Sequence, residues 1–328
     1  MDTVHLGRTG LKVTPLCLGT MNFGPWANEE DSFAIMDRAL DEGLLFWDTA
    51  DVYGGTKGEA LTEKLLGRYF AQGGGRRDRV VLATKVFGPM NPEGAAADPN
   101  LERGLSARKI IQECEASLGR MRVDHIDIYQ MHHVDRACPV EEILQAMEKL
   151  IRDGKIHYMA SSNFAGWDIA KFNETARARG GLGLVSEQCV YNLTNRGVEG
   201  EVLPAAQHYG MGVLPWSPLA GGMLGGVLEK HEDGRRGRKG VPDRVKAMQL
   251  QLEAWENLAR ELGHGPGELA LAWLRHQPAV TAPIIGPRTM EQLESALRSL
   301  TIEIDGETLR KIDDIWEPVG SSPENFAW

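Results

Sequence analysis

Eight short apolar runs recur along the chain, separated by longer stretches in which apolar residues return at helical spacing. The runs are LCLGT, LLFWDTAD, VVLATKV, HIDIYQMHH, IHYMASSN, LVSEQCVYN, GVLPWSPLA and TAPIIGP. Between them, segments such as DSFAIMDRALDEG, ARKIIQECEASLGRM, VEEILQAMEKLIRDG and GELALAWLRHQ carry the helical period, and Gly43, Gly119, Gly154 and Gly210 stand where helix C-caps are expected. Strands that read as continuous apolar runs are buried on both faces, which implies parallel pairing with helical crossovers. Eight such units predict an α/β fold of the closed (β/α)8 TIM-barrel type. The opening VHLGRTGLKVTP predicts a hairpin that turns at Gly10 and plugs the barrel floor.

No composition break and no Pro/Ser-rich linker divides the 328 residues, so one barrel domain over 1–328 is expected. Two connections are long: FGPMNPEGAAADPNLERGLS after the third run and GGMLGGVLEKHEDGRRGRKGVPDRVK after the seventh. Both predict loops at the C-terminal rim, where barrels of this kind keep their chemistry. The basic cluster Arg235, Arg236, Arg238 and Lys239 reads as a solvated loop rather than an anion clamp.

Charge narrows the partners. With 46 acidic against 36 basic side chains the net charge is -10, which offers no electrostatic footprint for nucleic acid or an anionic membrane. A small-molecule partner is therefore expected, with the oligomeric state open. Cys17, Cys114, Cys138 and Cys189 are scattered and form no CxxC pair, so reduced thiols are expected rather than a disulfide framework or a zinc ribbon. The N-terminus lacks a basic-then-apolar segment and no apolar stretch reaches spanning length, which together predict a cytoplasmic protein.

The candidate chemistry lies in what closes each run: Asp48 with Tyr53, Lys85, His132, Ser162 with Asn163, Gln188, Trp216 with Ser217, and Arg288. Each alone has a plain structural reading, Asp48 as a turn cap, Lys85 as a snorkelling strand end, His132 as a core histidine. Eight-fold geometry converges them on one pocket. A tyrosine is a poor acid at neutral pH, but a neighbouring ammonium, here Lys85, favours the phenolate and lowers its pKa. Asp48 would keep that buried ammonium ionised, and His132 would orient a substrate oxygen beside the Tyr53 hydroxyl. The pattern describes a general acid aimed at a carbonyl, with reduction falling as pH rises through a depressed Tyr53 pKa.

An electron source is missing from this set, and the second half of the chain offers a seat for one. Ser162, Asn163 and Gln188 suit a carboxamide, Trp216 a flat ring, and Ser217, Leu219 and the following glycines a pyrophosphate. Gly286 and Arg288 precede a helix whose N-terminus suits a phosphate, although Thr289 and Gln292 also read as a capping box that needs no ligand. No GxGxxG or GxxxxGK occurs in a strand-to-helix setting. A metal-dependent hydrolase would recruit His132, His133 and Asp135. That reading is disfavoured because adjacent strand histidines point to opposite faces, and no metal is expected.

DTADVYG with ATK, DIYQMHH, SSNF, WSPLAGG and GPRTMEQL resembles the aldo-keto reductase superfamily over essentially the whole chain. The resemblance implies that Tyr53 is the proton donor, that Lys85 and Asp48 tune it, and that His132 positions the carbonyl of an aldehyde or ketone. It implies hydride from NADPH, held without a Rossmann domain by Gly19, Thr20, Met21, Asp48, Ser162, Asn163, Gln188, Trp216, Ser217, Pro218, Leu219, Gly221, Gly286, Arg288 and Gln292. Arg288 favours NADP(H) over NAD(H). Ser295 and Ala296 depart from the Glu-Asn pair that holds adenine in related sequences. Trp26, Phe87 and His133 are expected to wall the substrate pocket. GTMNFG, RYFAQGGGRR and LSARKI are also similar to bacterial reductases of keto-deoxysugars. The superfamily includes potassium-channel beta subunits too, so an NADP(H)-binding sensor with little turnover is the alternative.

Overall fold

Each apolar run contributes a strand whose residues are largely covered on both faces, even where, as in Ser186–Gln188, they are polar. In the computed structural model, which describes residues 1–91, 98–228 and 241–327, these strands form one parallel sheet. The run Arg235, Arg236, Arg238 and Lys239 lies outside the described residues, as does part of each long rim connection.

A two-strand antiparallel hairpin, β1 (Val4–His5) and β2 (Lys12–Val13), comes first. The sheet then runs through β3 (Cys17–Gly19), β4 (Phe46–Asp48), β5 (Val81–Val86), β6 (Ile126–Met131), β7 (Ile156–Ser162), β8 (Ser186–Gln188), β9 (Gly212–Val213) and β10 (Ile284–Ile285). Its spatial order is β10-β3-β4-β5-β6-β7-β8-β9. The two outer strands are joined as well: Val213 and Val280 form a parallel bridge, Thr281 N–H donates to Val213 O at 2.9 Å, and Ile284 N–H donates to Pro215 O at 2.8 Å. These bonds complete a TIM-barrel-like ring.

Helices α1 (Glu29–Asp41), α2 (Leu61–Phe70), α3 (Ala107–Met121), α4 (Val140–Arg152), α5 (Gly166–Ala178) and α6 (Val202–His208) cross between successive strands. After β9 come α7 (Val241–Ala247), α8 (Gln249–Glu261) and α9 (Pro266–Arg275), and after β10 come α10 (Met290–Arg298), α11 (Gly306–Ile315) and α12 (Glu324–Ala327). The strands are shorter than their apolar runs. In GVLPWSPLA, for example, Pro215 and Pro218 lack the N–H a ladder needs, and regular pairing stops at Val213.

Two cores result. The larger lies between strands and helices, and a smaller one fills the barrel with Cys17, Phe46, Ala83, Ile128, Ala160, Val185 and Leu214. Leu6 and Val13 of the hairpin join the inner core, so the hairpin does plug the floor. Its tight position is Gly7 rather than Gly10: Gly7 has φ +54, and a Cβ there would stand 2.3 Å from Gly210 O. Gly43, Gly154 and Gly210 follow their helices with positive φ, as expected. Gly119 does not, because buried Met121 extends the apolar period of α3 and Arg122 takes the left-handed turn at φ 56. Among the described residues no helix is long and apolar enough to cross a membrane.

Candidate active site

The C-terminal strand ends place the expected residues around one mouth. Asp48 ends β4, Lys85 lies in β5, and His132 follows β6. Tyr53 is held by its own loop: its N–H donates to Ala50 O at 3.2 Å, and its carbonyl accepts from Thr62 N–H at 3.1 Å. Gly54, with φ +77, lets that loop turn against α2, where a Cβ would meet Thr62 Oγ1 at 2.9 Å.

At the centre is the Lys85 ammonium, which has three protons and donates to three oxygens. Nζ donates to Asp48 Oδ2 at 2.5 Å, to Thr49 O at 2.7 Å and to Tyr53 OH at 3.0 Å. Burial pushes this lysine down, but the Asp48 charge and the Tyr53 oxygen outweigh it and hold its pKa above the ordinary value. Because the phenol oxygen accepts from Lys85, its own proton is free to point elsewhere. The Tyr53 and His132 rings stand 5.9 Å apart at 80°.

The direction of the Tyr53 shift corrects the expectation from sequence. Burial raises the phenol, Asp48 and Asp51 add to that, and the pull from Lys85 does not overcome them. Tyr53 is therefore a protonated acid at neutral pH rather than an incipient phenolate. Burial and the Lys85 charge, with His133 adding, drive the pKa of His132 down to about 2, so its imidazole is neutral. A neutral ring still carries one N–H donor.

Two amides that organise Asp48 extend the set. Gln188 Nε2 donates to Asp48 Oδ1 at 2.8 Å, and Gln130 Nε2 donates to the same atom at 2.9 Å. Gln130 was not singled out in the sequence. Its signal was its polarity inside an otherwise apolar run, IYQM, at the C-terminal end of β6. A second chain of bonds fixes the neighbouring rim: Trp216 Nε1 donates to Asn163 Oδ1 at 3.1 Å, and Asn163 Nδ2 donates to His132 O at 3.0 Å and to Ser162 Oγ at 3.0 Å. Asn163 and Ser217 adopt positive φ of 60 and 52, a strained conformation for residues with side chains. Asn192, also not foreseen, donates to Ser217 O at 2.9 Å and braces that strained turn.

The remaining candidates lie on the same rim. Thr20 binds the Asp48 carbonyl through both N–H (2.9 Å) and Oγ1 (3.0 Å). Gly19 permits β10 to approach, since a Cβ would stand 2.6 Å from Ile284 Cγ2. Met21 and Trp26 are 41% and 48% exposed at the mouth, and Phe87 packs edge-on against His133 with ring centroids 5.2 Å apart. Pro218 is buried, Leu219 is half-buried, and Gly221 takes φ +71. Gly286 O accepts from Asn22 Nδ2 at 2.6 Å. The cap at Thr289 forms without the reciprocal half of the box: Gln292 N–H donates to Thr289 Oγ1 at 3.3 Å, while Gln292 Oε1 accepts from Arg288 N–H at 2.8 Å rather than from Thr289 N–H. Ser295 Oγ donates to Glu268 at 3.1 Å and Ala296 is buried, so neither offers the rim a carboxylate or amide.

The supposed divergence of His132 and His133 is overturned. Both follow the end of β6, where strand alternation no longer applies, and their rings stack 5.0 Å apart at 8°. Asp135, their imagined co-ligand, is taken up by backbone donors, accepting from Leu105 N–H at 2.9 Å and Ala137 N–H at 3.0 Å.

Comparison with known proteins adds an independent line. A family model described as the aldo/keto reductase family matches residues 15–317. The chain is 50% identical to an uncharacterised oxidoreductase, YrpG, of Bacillus subtilis, with both chains covered in full (100% each). It is 34% identical to norsolorinic acid reductase of Emericella nidulans, over 93% of this chain and 79% of that protein. A putative aryl-alcohol dehydrogenase of Saccharomyces cerevisiae is 28% identical over 96% of this chain and 97% of its own length.

Proposed function

The chain belongs to the aldo/keto reductase family, and from that premise we propose that it reduces the carbonyl of an aldehyde or ketone with NADPH, Tyr53 serving as the general acid. One observation carries the reading: Lys85 Nζ engages Asp48, Thr49 O and Tyr53 OH at once, so the phenol oxygen accepts from Lys85 and keeps its own proton for a substrate oxygen.

The rim residues fit a nicotinamide dinucleotide. Asn163 and Ser162 offer amide and hydroxyl groups beside Trp216, and Arg288 precedes α10 with no ion pair among the described residues. When bound, the cofactor supplies hydride to the carbonyl carbon. Neutral His132 donates its N–H to the carbonyl oxygen, and Tyr53 delivers the proton to that oxygen as negative charge develops. Lys85 stabilises the resulting phenolate, and Asp48, fixed by Gln130 and Gln188, stabilises Lys85. Trp26, Met21, Phe87 and His133 make the mouth aromatic and apolar. Together with relatives named for norsolorinic acid and aryl alcohols, this favours an aromatic carbonyl over a keto-sugar.

The test is Tyr53→Phe assayed with NADPH and nitrobenzaldehyde. Turnover should fall about 10² to 10⁴-fold while NADPH binding persists. If wild type binds NADPH tightly but turns over no aldehyde, quinone or ketosugar, the protein is a cofactor sensor. For the cofactor preference, Arg288→Ala should lose roughly ten- to hundred-fold of NADPH affinity with NADH affinity unchanged. Unaltered selectivity would remove Arg288 from that role.

A further inference from the structure

The first turn of the β6–β7 pair, at the end of the barrel away from Tyr53, holds three side chains that the carbonyl chemistry does not use. The register pairs Ile126 with Ile156 and Ile128 with Tyr158, which sets Asp127 beside His157. His125 precedes Asp127 by two residues and so shares its face. The two imidazoles stack with centroids 4.6 Å apart and planes 27° from parallel.

The carboxylate between them is built to present one oxygen. Asp127 Oδ2 accepts from Leu82 N–H at 2.9 Å and from Arg77 Nη2 at 2.8 Å. Oδ1 faces the rings, 3.5 Å from His157 Nδ1 and 3.9 Å from His125 Nε2. All three candidate ligand atoms lie within 4.8 Å of one another. Around a tetrahedral zinc ion with bonds of about 2.1 Å, neighbouring ligand atoms stand roughly 3.4 Å apart. The two carboxylate-to-imidazole gaps are close to that value. The remaining gap closes by rotating His157, whose side chain is 48% exposed.

We propose that His125, Asp127 and His157 form a divalent transition-metal site, with zinc as the expected occupant and water completing its shell. Two imidazoles and one carboxylate are a donor set zinc accepts, and hydrogen bonds to the far carboxylate oxygen are the outer support such ligands generally have. Arg77 opposes a cation here, but it contacts Oδ2 and leaves Oδ1 to the metal. The ion would clip the N-terminal ends of β6 and β7 together, far from the rim chemistry. The competing account is a plain surface contact between His157 and Asp127 with no ion bound.

Zinc titration of the full chain, without added histidine tags and near neutral pH, decides between them. The proposal expects one saturable equivalent, a zinc-dependent rise in Tm, and at least about tenfold weaker binding in Asp127→Asn and His157→Ala. Carbonyl reduction should be unchanged in His157→Ala. Asp127→Asn could perturb folding by releasing Leu82 and Arg77, so exposed His157 carries the decision. Wild-type zinc affinity in His157→Ala, absence of saturable binding, or loss of binding in His133→Ala instead would each overturn the site.

Discussion

The two faces of the barrel wall treat a buried carboxyl in opposite ways. On the inner face Asp48 meets the Lys85 ammonium and two amide donors, so every part of the carboxylate is answered by charge or hydrogen bond. On the outer face Glu187, equally sealed, accepts from Ser161 Oγ and from Phe164 N–H at 3.0 Å, with no cation among its described partners. The register sets Ser161 opposite Glu187 and Ser162 opposite Gln188, so one step along the same strands separates these environments. Burial pushes the Glu187 pKa up to about 8, its hydrogen bonds pulling the other way. Asp51 is buried after β4, and neither of its oxygens has a hydrogen-bond partner among the described residues; burial, then Glu63 and Glu113, drive it well above the usual range against the opposing pull of Arg120 and Lys109. A buried acid given a cation stays charged and can organise a reaction. One without a directly bonded cation becomes a neutral structural group.

The harshest way to break this contrast is to remove the inner cation. Lys85→Met leaves Asp48 as an uncompensated buried charge, which should cost about 3–5 kcal/mol of stability, and it removes the partner that stabilises the Tyr53 phenolate. Urea unfolding and turnover should therefore collapse together. Full stability with lost turnover would mean that Asp48 simply takes a proton, as the outer acids do, and that the inner face is not organised by charge.

A gentler probe sharpens the competition on Tyr53 itself. Burial raises the phenol and Lys85 lowers it, with burial ahead. Single-turnover reduction should then stay level from about pH 6 to 9 and decline only above the ordinary tyrosine value near 10. His132, neutral down to about 2, should add no acid limb in that range. A decline beginning between about pH 7 and 8 would show that Lys85 prevails over burial once the site is filled.

Much of this arrangement is legible in the sequence. Asp48, Lys85 and His132 each terminate an apolar run, and a barrel must bring such ends together, so their convergence followed from periodicity. The cap at Thr289 was legible because it is local. What escaped depends on contacts across strands. Gln130 is one polar residue inside an apolar run, and its value appears only when Asp48 arrives from β4. The sign of the Tyr53 shift was misjudged because sequence reveals the ammonium but not how far the phenol is removed from water. The stacking of His132 on His133 depends on where β6 ends, and the grouping of His125, Asp127 and His157 depends on the register of strands thirty residues apart.

The remaining expected effect bears on the outer face and leaves turnover untouched. Glu187 has a folded pKa of about 8 against an ordinary value of 4.5, so its neutral form is favoured by folding. Its contribution is fully present below the unfolded value, where both states hold the proton, and is lost as pH rises toward about 8, because the unfolded chain ionises first. Glu187→Gln keeps the shape and the carbonyl acceptor but cannot ionise. Relative to wild type, the variant should therefore gain on the order of a few kcal/mol between pH 5 and 8, read from urea unfolding at the two pH values. Asp51 titrates in both proteins and cancels from the difference. Parallel stability profiles would mean that Glu187 stays ionised inside the fold, in which case the outer wall supplies a compensating charge of its own and the two faces do not differ in kind.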